Sequence, residues 1–394
     1  MSADSPREVG ERIAACRRAR RLTQTGLASA AHVSYATIRA VERGARRPSD
    51  EVIEAIAAAL AVDATQLRTG YVGTERRVHQ ALPELSATIA GYDIPQGSPT
   101  RTPDELADAI STAVVWRLGA QYGRIAAEIP SLLDDAIRYV HTARGAEQRT
   151  AARMLAAAAR VGDAIAFKYG ARDLSARLID LMRWAADRTE DPLVQAATAY
   201  VRTEVFFTAR SHAAGLAALE QAIDVAPAPS SRSEAASRGA LHMRAAVIAG
   251  RDGNADAADT HLEHARQLGD QVAREGIYLG TAFGPDSVRI HEVSVAVGLG
   301  RDHVDRALRV ATEWTPPVGL PAERRSGFYI ELARAQEWAG LQADAFGSLK
   351  AARAAAPQHT REHPWAREVA GSLRRFHRAD VEALSYFAHW IGAV

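Results

Sequence analysis

Cysteine, lysine and long apolar runs are nearly missing from this chain of 394 residues. The single Cys16 excludes an internal disulfide and a cysteine cluster for zinc, which fits a reducing cytoplasm. No uninterrupted apolar run approaches the roughly 20 residues that a membrane-spanning helix requires. The N-terminus shows no apolar stretch followed by a cleavage site, so we expect neither a signal peptide nor a membrane span. We therefore expect a cytoplasmic protein.

The charges balance almost completely, but they are unevenly distributed. The formal net charge is only +1, so the chain as a whole should not attract polyanions. Residues 1–68 hold eleven arginines and eight acidic residues, an excess of +3, which leaves −2 for the remainder. Lysine occurs only at Lys168 and Lys350. With 47% apolar residues, a chain of this length can build a large core and two or three domains.

The first seventy residues show the spacing of short helices around a small core. Apolar or small residues predict a first helix over about 7–20, and Cys16 on its inner face is better explained by packing than by redox sensing. Thr23 can cap a second helix, and Ser34 can cap a third helix that ends near Glu42. A fourth helix follows from Asp50, and Val62 with Leu67 closes a unit of five helices. Two short helices joined by a tight turn within such a bundle predict a helix-turn-helix arrangement.

A longer segment carries this pattern: LTQTGLASAAHVSYATIRAVERGARRPSDEVIEAIAAALAVDATQL. It resembles the DNA-binding domain of the Cro/CI-type (XRE) repressors in the Thr-Gln start of the second helix, the Val-Ser entry to the third, the Gly stop and the following Pro-Ser. The sequence departs from the family at Gly26, which costs roughly 1 kcal/mol relative to alanine, and at His32, where the turn usually has glycine. Because histidine tolerates that backbone better than a branched residue, we expect strain without loss of the fold.

The resemblance implies that the third helix reads DNA. It places the following residues at the DNA: Gln24, Thr25, Ser34, Tyr35, Ala36, Thr37, Arg39, Ala40, Arg43, Arg46 and Arg47. Because alanine cannot form a bidentate contact with a base, direct readout should rest mainly on Tyr35 and Arg39, with arginine preferring guanine. Gln24 and Ser34 are placed for phosphates at helix N-termini.

Three arginines, Arg43, Arg46 and Arg47, follow the end of the third helix. In isolation such a run is most often a solvated charged segment. Within a complete helix-turn-helix pattern, we expect these side chains to contact backbone phosphates and to contribute an affinity that falls steeply with salt.

Residues 69–103 hold eight glycines and prolines, the highest density of helix breakers in the chain. We therefore predict a helix-turn-helix domain at 1–70, a hinge at 71–103 in which a helix can persist over 74–90, and a helical domain at 104–394. Strands find no support in the last region, because alternating patterns are missing and alanine, leucine and arginine dominate.

Small residues recur at fixed spacing in the helical region. Three frames begin at Thr203, Ala246 and Ala333, and in each frame small residues lie 12 and 19 positions further along the chain. Small residues at these positions allow two antiparallel helices to pack closely, and Gly253 or Gly340 supplies the turn between them. The arrangement resembles tetratricopeptide (TPR) repeats, so we predict an all-α protein in which five to seven helical pairs form a TPR-like α-solenoid.

The order of the two parts, together with TAFGPDSVRIHEVSVAVGLG at 281–300, resembles regulators common in actinomycetes that join this DNA-binding head to a TPR-like body. That resemblance implies effector-responsive DNA binding. The inner surface of such a curved stack commonly receives a peptide, a protein segment or another subunit. The inner-face positions of the best-aligned repeats, which do not dictate a ligand, are Met243, Val247, Ile330, Arg334 and Glu337.

Two histidine motifs have a spacing that bears on metal binding. HTREH at 359–363 matches the H-x-x-E-H pattern of some zinc peptidases, but Pro364 disfavours a helical His363, so the geometry should fail. His261 and His264 lie among acidic neighbours, and we interpret them as part of a solvated helix face. The sequence shows no phosphate-binding glycine loop and no nucleophile elbow. We expect no catalytic site, no metal and no cofactor.

These patterns together predict a transcriptional regulator. A homodimer should present two reading helices one DNA turn, about 34 Å, apart on a palindromic operator. The TPR-like body would dimerise and bind a peptide or small-molecule effector that modulates DNA binding. The alternative is a DNA-tethered scaffold that recruits a partner protein through the TPR-like body.

Overall fold

A computed structural model describes residues 6–60, 62, 64–69, 74–376 and 381–393. The chain divides into two compact units, Met1–His79 and Gln80–Val394. Apart from one short strand pair, both units are helical over the described residues, which confirms the all-α fold class. No helix in the described parts of the chain has the length and apolar character needed to cross a membrane.

The N-terminal unit packs five short helices, followed by the start of a sixth. The helices are α1 Pro6–Ala19, α2 Gln24–Ala30, α3 Tyr35–Glu42, α4 Asp50–Leu60, α5 Ala64–Thr69 and α6 Thr74–Ala90. The apolar faces of α1 to α5 meet in a single core whose centre contains the fully buried Ile13, Leu27, Ile38, Ile56 and Leu67.

The ends of α2 and α3 follow the predicted caps. Thr23 Oγ1 accepts a hydrogen bond from Gly26 N at 2.9 Å, and Ser34 Oγ accepts one from Thr37 N at 3.1 Å. Each cap satisfies a backbone N–H that has no partner within the first turn. His32 adopts a φ of +51° in the turn between the helices. This is the left-handed conformation, which strains the backbone of a residue other than glycine.

The second unit begins within α6 and continues through fifteen further helices of the described chain. They are α7 Pro103–Leu118, α8 Tyr122–Thr142, α9 Gly145–Lys168, α10 Arg172–Ala186, α11 Pro192–Ala209, α12 His212–Val225, α13 Arg232–Arg251, α14 Ala255–Val272, α15 Pro285–Leu299, α16 Val304–Glu313, α17 Ala322–Trp338, α18 Gln342–Ala355, α19 Pro357–Glu362, α20 Pro364–Phe376 and α21 Val381–Ile391. A 3₁₀ turn, Arg301–His303, precedes α16.

From α9 onward the helices form two-helix repeats, as the sequence predicted. Each first helix (α9, α11, α13, α15 and α17) packs against its own second helix and against the first helix of the next repeat. The turns within three repeats contain Gly170, Gly253 and Gly340, which have φ angles of +77°, +76° and +77° and so adopt the left-handed conformation that favours glycine. The frame residues Ala246 and Ala333 are fully buried, which allows the helices to approach closely.

The stack of repeats closes on itself. Helix α7, near the start of the second unit, contacts α17, near the end of the stack. Lys168 Nζ lies 3.0 Å from Glu323 Oε1, and Gly123 N donates a hydrogen bond to Gln358 Oε1 at 3.2 Å. The inner faces of the first helices therefore border a common space within the second unit.

The prediction that residues 104–394 contain no strands is wrong at one place. Strands β1 Gly276–Tyr278 and β2 Thr281–Phe283 pair antiparallel, with Gly276 opposite Phe283. Leu279 and Gly280 connect them with φ angles of +45° and +75°, the sign that a two-residue type I′ turn requires at both positions. Strands of only three residues are too short to show an alternating pattern in the sequence.

The region predicted as a hinge contains α6 and an irregular segment over 91–102. The irregular segment is held on α8, because Asp135 Oδ1 accepts a hydrogen bond from Thr100 N at 2.7 Å and Asp135 Oδ2 accepts one from Arg101 Nη1 at 2.7 Å. The predicted boundary at residue 70 lies outside the described residues.

Candidate DNA-binding surface and central cavity

Helix α3 has one buried face and one exposed face. Ile38 and Val41 are fully buried in the core of the N-terminal unit, whereas Tyr35 is 47% exposed and Arg39 is also exposed. Nearly half of the Tyr35 surface is accessible to solvent. The exposed face is therefore available to contact a partner.

Helix α1 fixes the position of α3. At Gly10 the backbones of the two helices come so close that a Cβ atom would lie 2.2 Å from Val41 O. Glu42, at the end of α3, forms a bidentate ion pair with α1, since Arg17 Nε and Nη2 lie 2.6 and 2.9 Å from its two carboxylate oxygens. Gln24 Nε2 donates a further hydrogen bond to Glu42 Oε2 at 2.8 Å, which ties the start of α2 to the same point.

The ion pair makes the stability of this unit depend on pH. Although burial opposes the change, hydrogen bonds from Arg17 and Gln24 lower the pKa of Glu42 below its ordinary 4.5. A carboxyl whose pKa is lower in the folded than in the unfolded state adds stability above the unfolded pKa, and this stability is lost as the pH falls through the folded pKa. The contribution of Glu42 is therefore complete at neutral pH.

Glu42→Gln is expected to destabilise the N-terminal unit by about 2 kcal/mol at neutral pH, because Arg17 loses its charged partner. The difference from the wild type should shrink below about pH 4. Amide hydrogen exchange in α1 and α3 measures both effects. Glu11→Gln is the matched control, since Glu11 pairs with Arg7 on an exposed surface and should change stability by less than about 0.5 kcal/mol. Equal losses in the two variants would contradict the role assigned to the buried pair.

The residues predicted to contact DNA occupy α2, α3 and the segment after α3. The exposed ones are Thr25, Ser34, Tyr35, Ala36, Arg39, Arg43, Arg46 and Arg47, and the half-buried ones are Gln24, Thr37 and Ala40. Two of them also have structural roles: Ser34 caps α3, and Gln24 binds Glu42. The contact of each residue with bases or phosphates stays a prediction.

A cavity of about 250 Å³ lies inside the second unit. Its wall is built mainly from the first helix of each repeat, and each of four such helices contributes side chains seven residues apart. These pairs are Arg160 and Phe167 on α9, Tyr200 and Phe207 on α11, Arg244 and Arg251 on α13, and Arg324 and Glu331 on α17. A spacing of seven is two helical turns, so both members of each pair lie on the same face of their helix.

Tyr200 lies in the wall of the cavity among guanidinium groups. Arg324 Nη2 donates a hydrogen bond to the phenol oxygen at 2.6 Å, and the Arg244 guanidinium lies 4.7 Å from the ring centre. Burial favours the neutral phenol, but Arg324 and Arg244 outweigh it and lower the pKa of Tyr200 to about 8. The surroundings of this hydroxyl thus favour negative charge.

The second nitrogen of the same guanidinium contacts a histidine. Arg324 Nη1 lies 3.3 Å from His291 Nε2, and His291 Nδ1 lies 2.7 Å from Ser287 O. Burial and the neighbouring Arg324 lower the pKa of His291 to about 3, so the imidazole is neutral at physiological pH. His291 Nδ1–H therefore donates to Ser287, and His291 Nε2 accepts from Arg324.

Burial and neighbouring charges change the pKa of three carboxyl groups in the cavity wall. Burial and the adjacent Glu204 raise the pKa of Asp163 well above its ordinary value, which favours the neutral form of Asp163. Burial also raises the pKa of Glu331, whose carboxylate accepts a hydrogen bond from Ser294. Glu323 is the exception, because Lys168 lies beside it and its pKa is lowered despite burial.

The hairpin of β1 and β2 covers part of the cavity. Arg160 Nη1 donates a hydrogen bond to Leu279 O at 2.7 Å, and Arg160 Nη2 donates one to Thr281 Oγ1 at 2.8 Å. Arg117 donates a further hydrogen bond to Gly280 O. Burial and the neighbouring Arg117 lower the pKa of Arg160 to about 9, the result expected for like charges crowded together.

The five residues predicted for the inner face lie in different surroundings. Val247 lines the cavity, whereas Met243 and Ile330 are fully buried in the packing between helices. Arg334 Nη1 pairs with Glu368 at 2.9 Å, and Glu337 Oε1 accepts a hydrogen bond from Ser372 at 2.7 Å. Their binding of an effector stays a prediction.

Sequence reasoning missed the charged residues that line the cavity. The frame of small residues identified the positions where helices pack, and the cavity positions lie on another face of the same helices. Arg244 and Arg251 flank the frame residue Ala246, and Glu331 precedes the frame residue Ala333 by two positions. Charged or aromatic side chains seven residues apart on each first helix are the signal that could have revealed the wall.

The histidine motifs behave differently from each other. His363 has φ −77° and ψ 121°, outside the helical region, which confirms that HTREH does not place both histidines on one helix. The prediction that His261 belongs to a solvated face is wrong, since it is 9% exposed and its Nδ1 lies 3.0 Å from His242 Nδ1. Packing of α14 on α13 buries it. Among the described residues, no group of three or more His, Cys, Asp or Glu is arranged to hold a metal ion.

Comparison with known proteins identifies the N-terminal unit. Residues 8–69 match a family described as a helix-turn-helix domain. A search of curated proteins found no significant match.

Two solved structures show limited similarity to the chain. Bacillus thuringiensis PlcR, in complex with the peptide PapR7 and DNA, is 14% identical, covering 68% of this chain and 96% of PlcR at a TM-score of 0.29. The apo form of the competence regulator ComR from Streptococcus vestibularis is 9% identical, covering 98% of this chain and 97% of ComR at a TM-score of 0.28. TM-scores this low do not establish a shared fold.

Proposed function

We propose, from the match of residues 8–69 to a helix-turn-helix family, that the chain is a sequence-specific DNA-binding transcriptional regulator. The exposed face of α3 is the observation that carries this proposal. Tyr35 and Arg39 are exposed on a helix whose opposite face is fixed in the core by Ile38 and Val41. A short helix anchored on one side and exposed on the other is the arrangement that enters the major groove.

The proposed regulator acts in the cytoplasm as a homodimer. A single helix-turn-helix domain contacts only one half of an operator, and two copies related by a twofold axis read a palindrome. Arg39 reads bases, whereas Arg43, Arg46 and Arg47 contact phosphates and set the dependence of affinity on salt.

Arg39→Ala is expected to weaken binding to the preferred DNA sequence by about 1–3 kcal/mol and to relax the choice of base at one position. The preferred sequence is obtained by selecting duplexes from a random pool with the full-length protein, and fluorescence anisotropy then measures the affinities. A dimer should select palindromes whose half-sites lie about one helical turn apart. Arg46→Ala is the matched control, because loss of a phosphate contact weakens binding equally for all sequences and lowers the salt slope by about one.

Two results of this experiment would contradict the proposal. One is a selection that enriches no sequence. The other is a loss of affinity in the Arg39→Ala variant that is the same for the selected duplex and for an unrelated one.

The body of the proposed regulator senses a small molecule. Ligand pockets commonly occupy about 300–1,000 Å³. The cavity of about 250 Å³ lies near the lower limit, which favours a small molecule over a peptide. A scaffold that recruits a protein along its inner surface is less well supported, because contacts of α7 and α9 with α17 close that surface. A ligand that prefers one conformation of the body would change the occupancy of DNA.

A further inference from the structure

We propose that the central cavity binds a small organic anion through a carboxylate or phosphate group, with Arg244, Arg324 and Tyr200 as its principal contacts. This assignment specifies the ligand class of the sensing body, and its regulatory consequence rests on the proposed function above. Binding itself requires only the second unit.

Cationic side chains outnumber carboxyl groups in the wall of the cavity. Six cationic side chains line it: Arg117, Arg160, Lys168, Arg244, Arg251 and Arg324. The same wall contains four carboxyl groups. Burial and the adjacent Glu204 raise the pKa of one of these, Asp163, which favours its neutral form. Lys168 pairs with Glu323 and Arg244 pairs with Glu204, but among the described residues no ion pair joins the other four cations to a carboxylate. Buried cations without counter-charges are costly, so an anion in the cavity would be stabilised by the charges already in place.

Several arginines of the cavity wall have neutral hydrogen-bond partners. Arg324 donates to a phenol and an imidazole, and Arg160 donates to a backbone carbonyl and a hydroxyl. Arg117 is 8% exposed, and its Nε has no hydrogen-bond partner among the described residues. None of these three guanidinium groups forms an ion pair with a carboxylate in the part of the chain that the structure describes. They are the groups that a carboxylate or phosphate would pair with in bidentate fashion.

Aromatic side chains in the same wall indicate an organic ligand. Phe167, Tyr200 and Phe207 line the cavity, and the Arg244 guanidinium lies 4.7 Å from the Tyr200 ring centre and 5.2 Å from the Phe207 ring centre. A ligand with an apolar body and one anionic end would place the body on these rings and the anionic end on the guanidinium groups. An inorganic ion alone would leave the aromatic surface unused.

The test measures binding of benzoate, phenyl phosphate and benzamide to the full-length protein by thermal unfolding and isothermal titration calorimetry. Benzamide has nearly the shape of benzoate without the charge. Saturable binding of benzoate, phenyl phosphate or both, at least tenfold tighter than binding of benzamide, is the expected result. The anion that binds more tightly distinguishes a carboxylate from a phosphate site.

Variants locate the site. Arg324→Lys and Arg244→Gln should each weaken binding of the anion about tenfold, the loss expected for one charge-assisted hydrogen bond. Tyr200→Phe keeps the ring and should fold as the wild type does, and it should weaken binding severalfold. Arg306→Gln is the control, because Arg306 pairs with Asp259 on the surface and should leave binding unchanged.

Three results would overturn the proposal: no saturable binding of either anion to the wild type, benzamide binding as tightly as the anions, or equal binding by the wild type, Arg244→Gln, Arg324→Lys and Tyr200→Phe. The effect on DNA is measured separately, with the selected duplex. Specific binding of the anion without any change in DNA affinity would support the assignment of the cavity and contradict the sensing role of the body.

Discussion

Gly10→Ala is expected to unfold the N-terminal domain and to abolish DNA binding by the full-length protein. The new Cβ would lie 2.2 Å from Val41 O and 3.0 Å from Glu42 O, both backbone atoms at the end of α3. A flexible side chain could move aside, but a helix backbone cannot. Helices α1 and α3 would have to separate, and this would also pull Arg17 away from Glu42.

The expected loss of stability is about 3 kcal/mol or more, at the upper end of the cost of overpacking. A domain of fewer than about 70 residues rarely has more than 3–5 kcal/mol of stability, so most molecules should lose the fold of this unit. Hydrogen exchange in α1 to α5 measures the unfolding, and anisotropy with the selected duplex measures the loss of DNA binding. Exchange in the second unit reports whether the effect is confined to the first.

Gly26→Ala is the matched control within the same domain. A Cβ at Gly26 would meet only side-chain atoms, Thr23 Oγ1 at 3.2 Å and Leu22 Cδ2 at 3.8 Å. Alanine gains up to about 1 kcal/mol of helix propensity over glycine. The stability of this variant should therefore differ from that of the wild type by no more than about 1 kcal/mol. If Gly10→Ala bound DNA as well as Gly26→Ala does, the close approach of α1 and α3 would not be required for function.

The ends of the helices in the N-terminal unit could be predicted because they depend on local chemistry. Ser34 accepts a hydrogen bond from the backbone three residues later, and Gly44 adopts a φ of +70° just after α3. Both features are written in residues adjacent to the helix they terminate. The same holds for the turn glycines of the repeats, whose positions mark the ends of the first helices.

Features that depend on distant residues could not be predicted in this way. Gly10 is a helix-weakening residue in the sequence, and its purpose becomes visible only when Val41 is placed against it. His261 lies in a polar segment, yet α13 buries it against His242. The cavity is the largest example, because its wall combines residues from seven helices and requires the stack to close. Periodicity identifies the packed face of a helix but does not show which distant charges share a space.

The hairpin beside the cavity depends on Gly239. Phe283, at the end of β2, is fully buried with its ring directed at Gly239 in α13. A Cβ at Gly239 would lie 2.0 Å from Phe283 Cζ and 2.5 Å from Cε2, so the ring and the new methyl group cannot occupy their places together. Gly239→Ala should therefore displace Phe283 and the hairpin.

Displacement of a buried phenylalanine costs about 3–5 kcal/mol, which outweighs the gain of about 1 kcal/mol from alanine in a helix. Gly347→Ala is the matched control, since Gly347 lies inside α18 with nothing within 4 Å of a new Cβ, and it should not destabilise the chain. Thermal unfolding of the full-length protein compares the two variants. Hydrogen exchange over 276–283 reports whether the hairpin has detached.

A second substitution makes the steric cause testable. Phe283→Leu shortens the side chain, so the double variant Gly239→Ala/Phe283→Leu should be more stable than the sum of the two single losses by at least about 1 kcal/mol. The double variant should also restore the protection of the hairpin amides from hydrogen exchange, because Arg117 and Arg160 can again bind the turn at Gly280 and Leu279. Additive losses would mean that Gly239 does not act through Phe283.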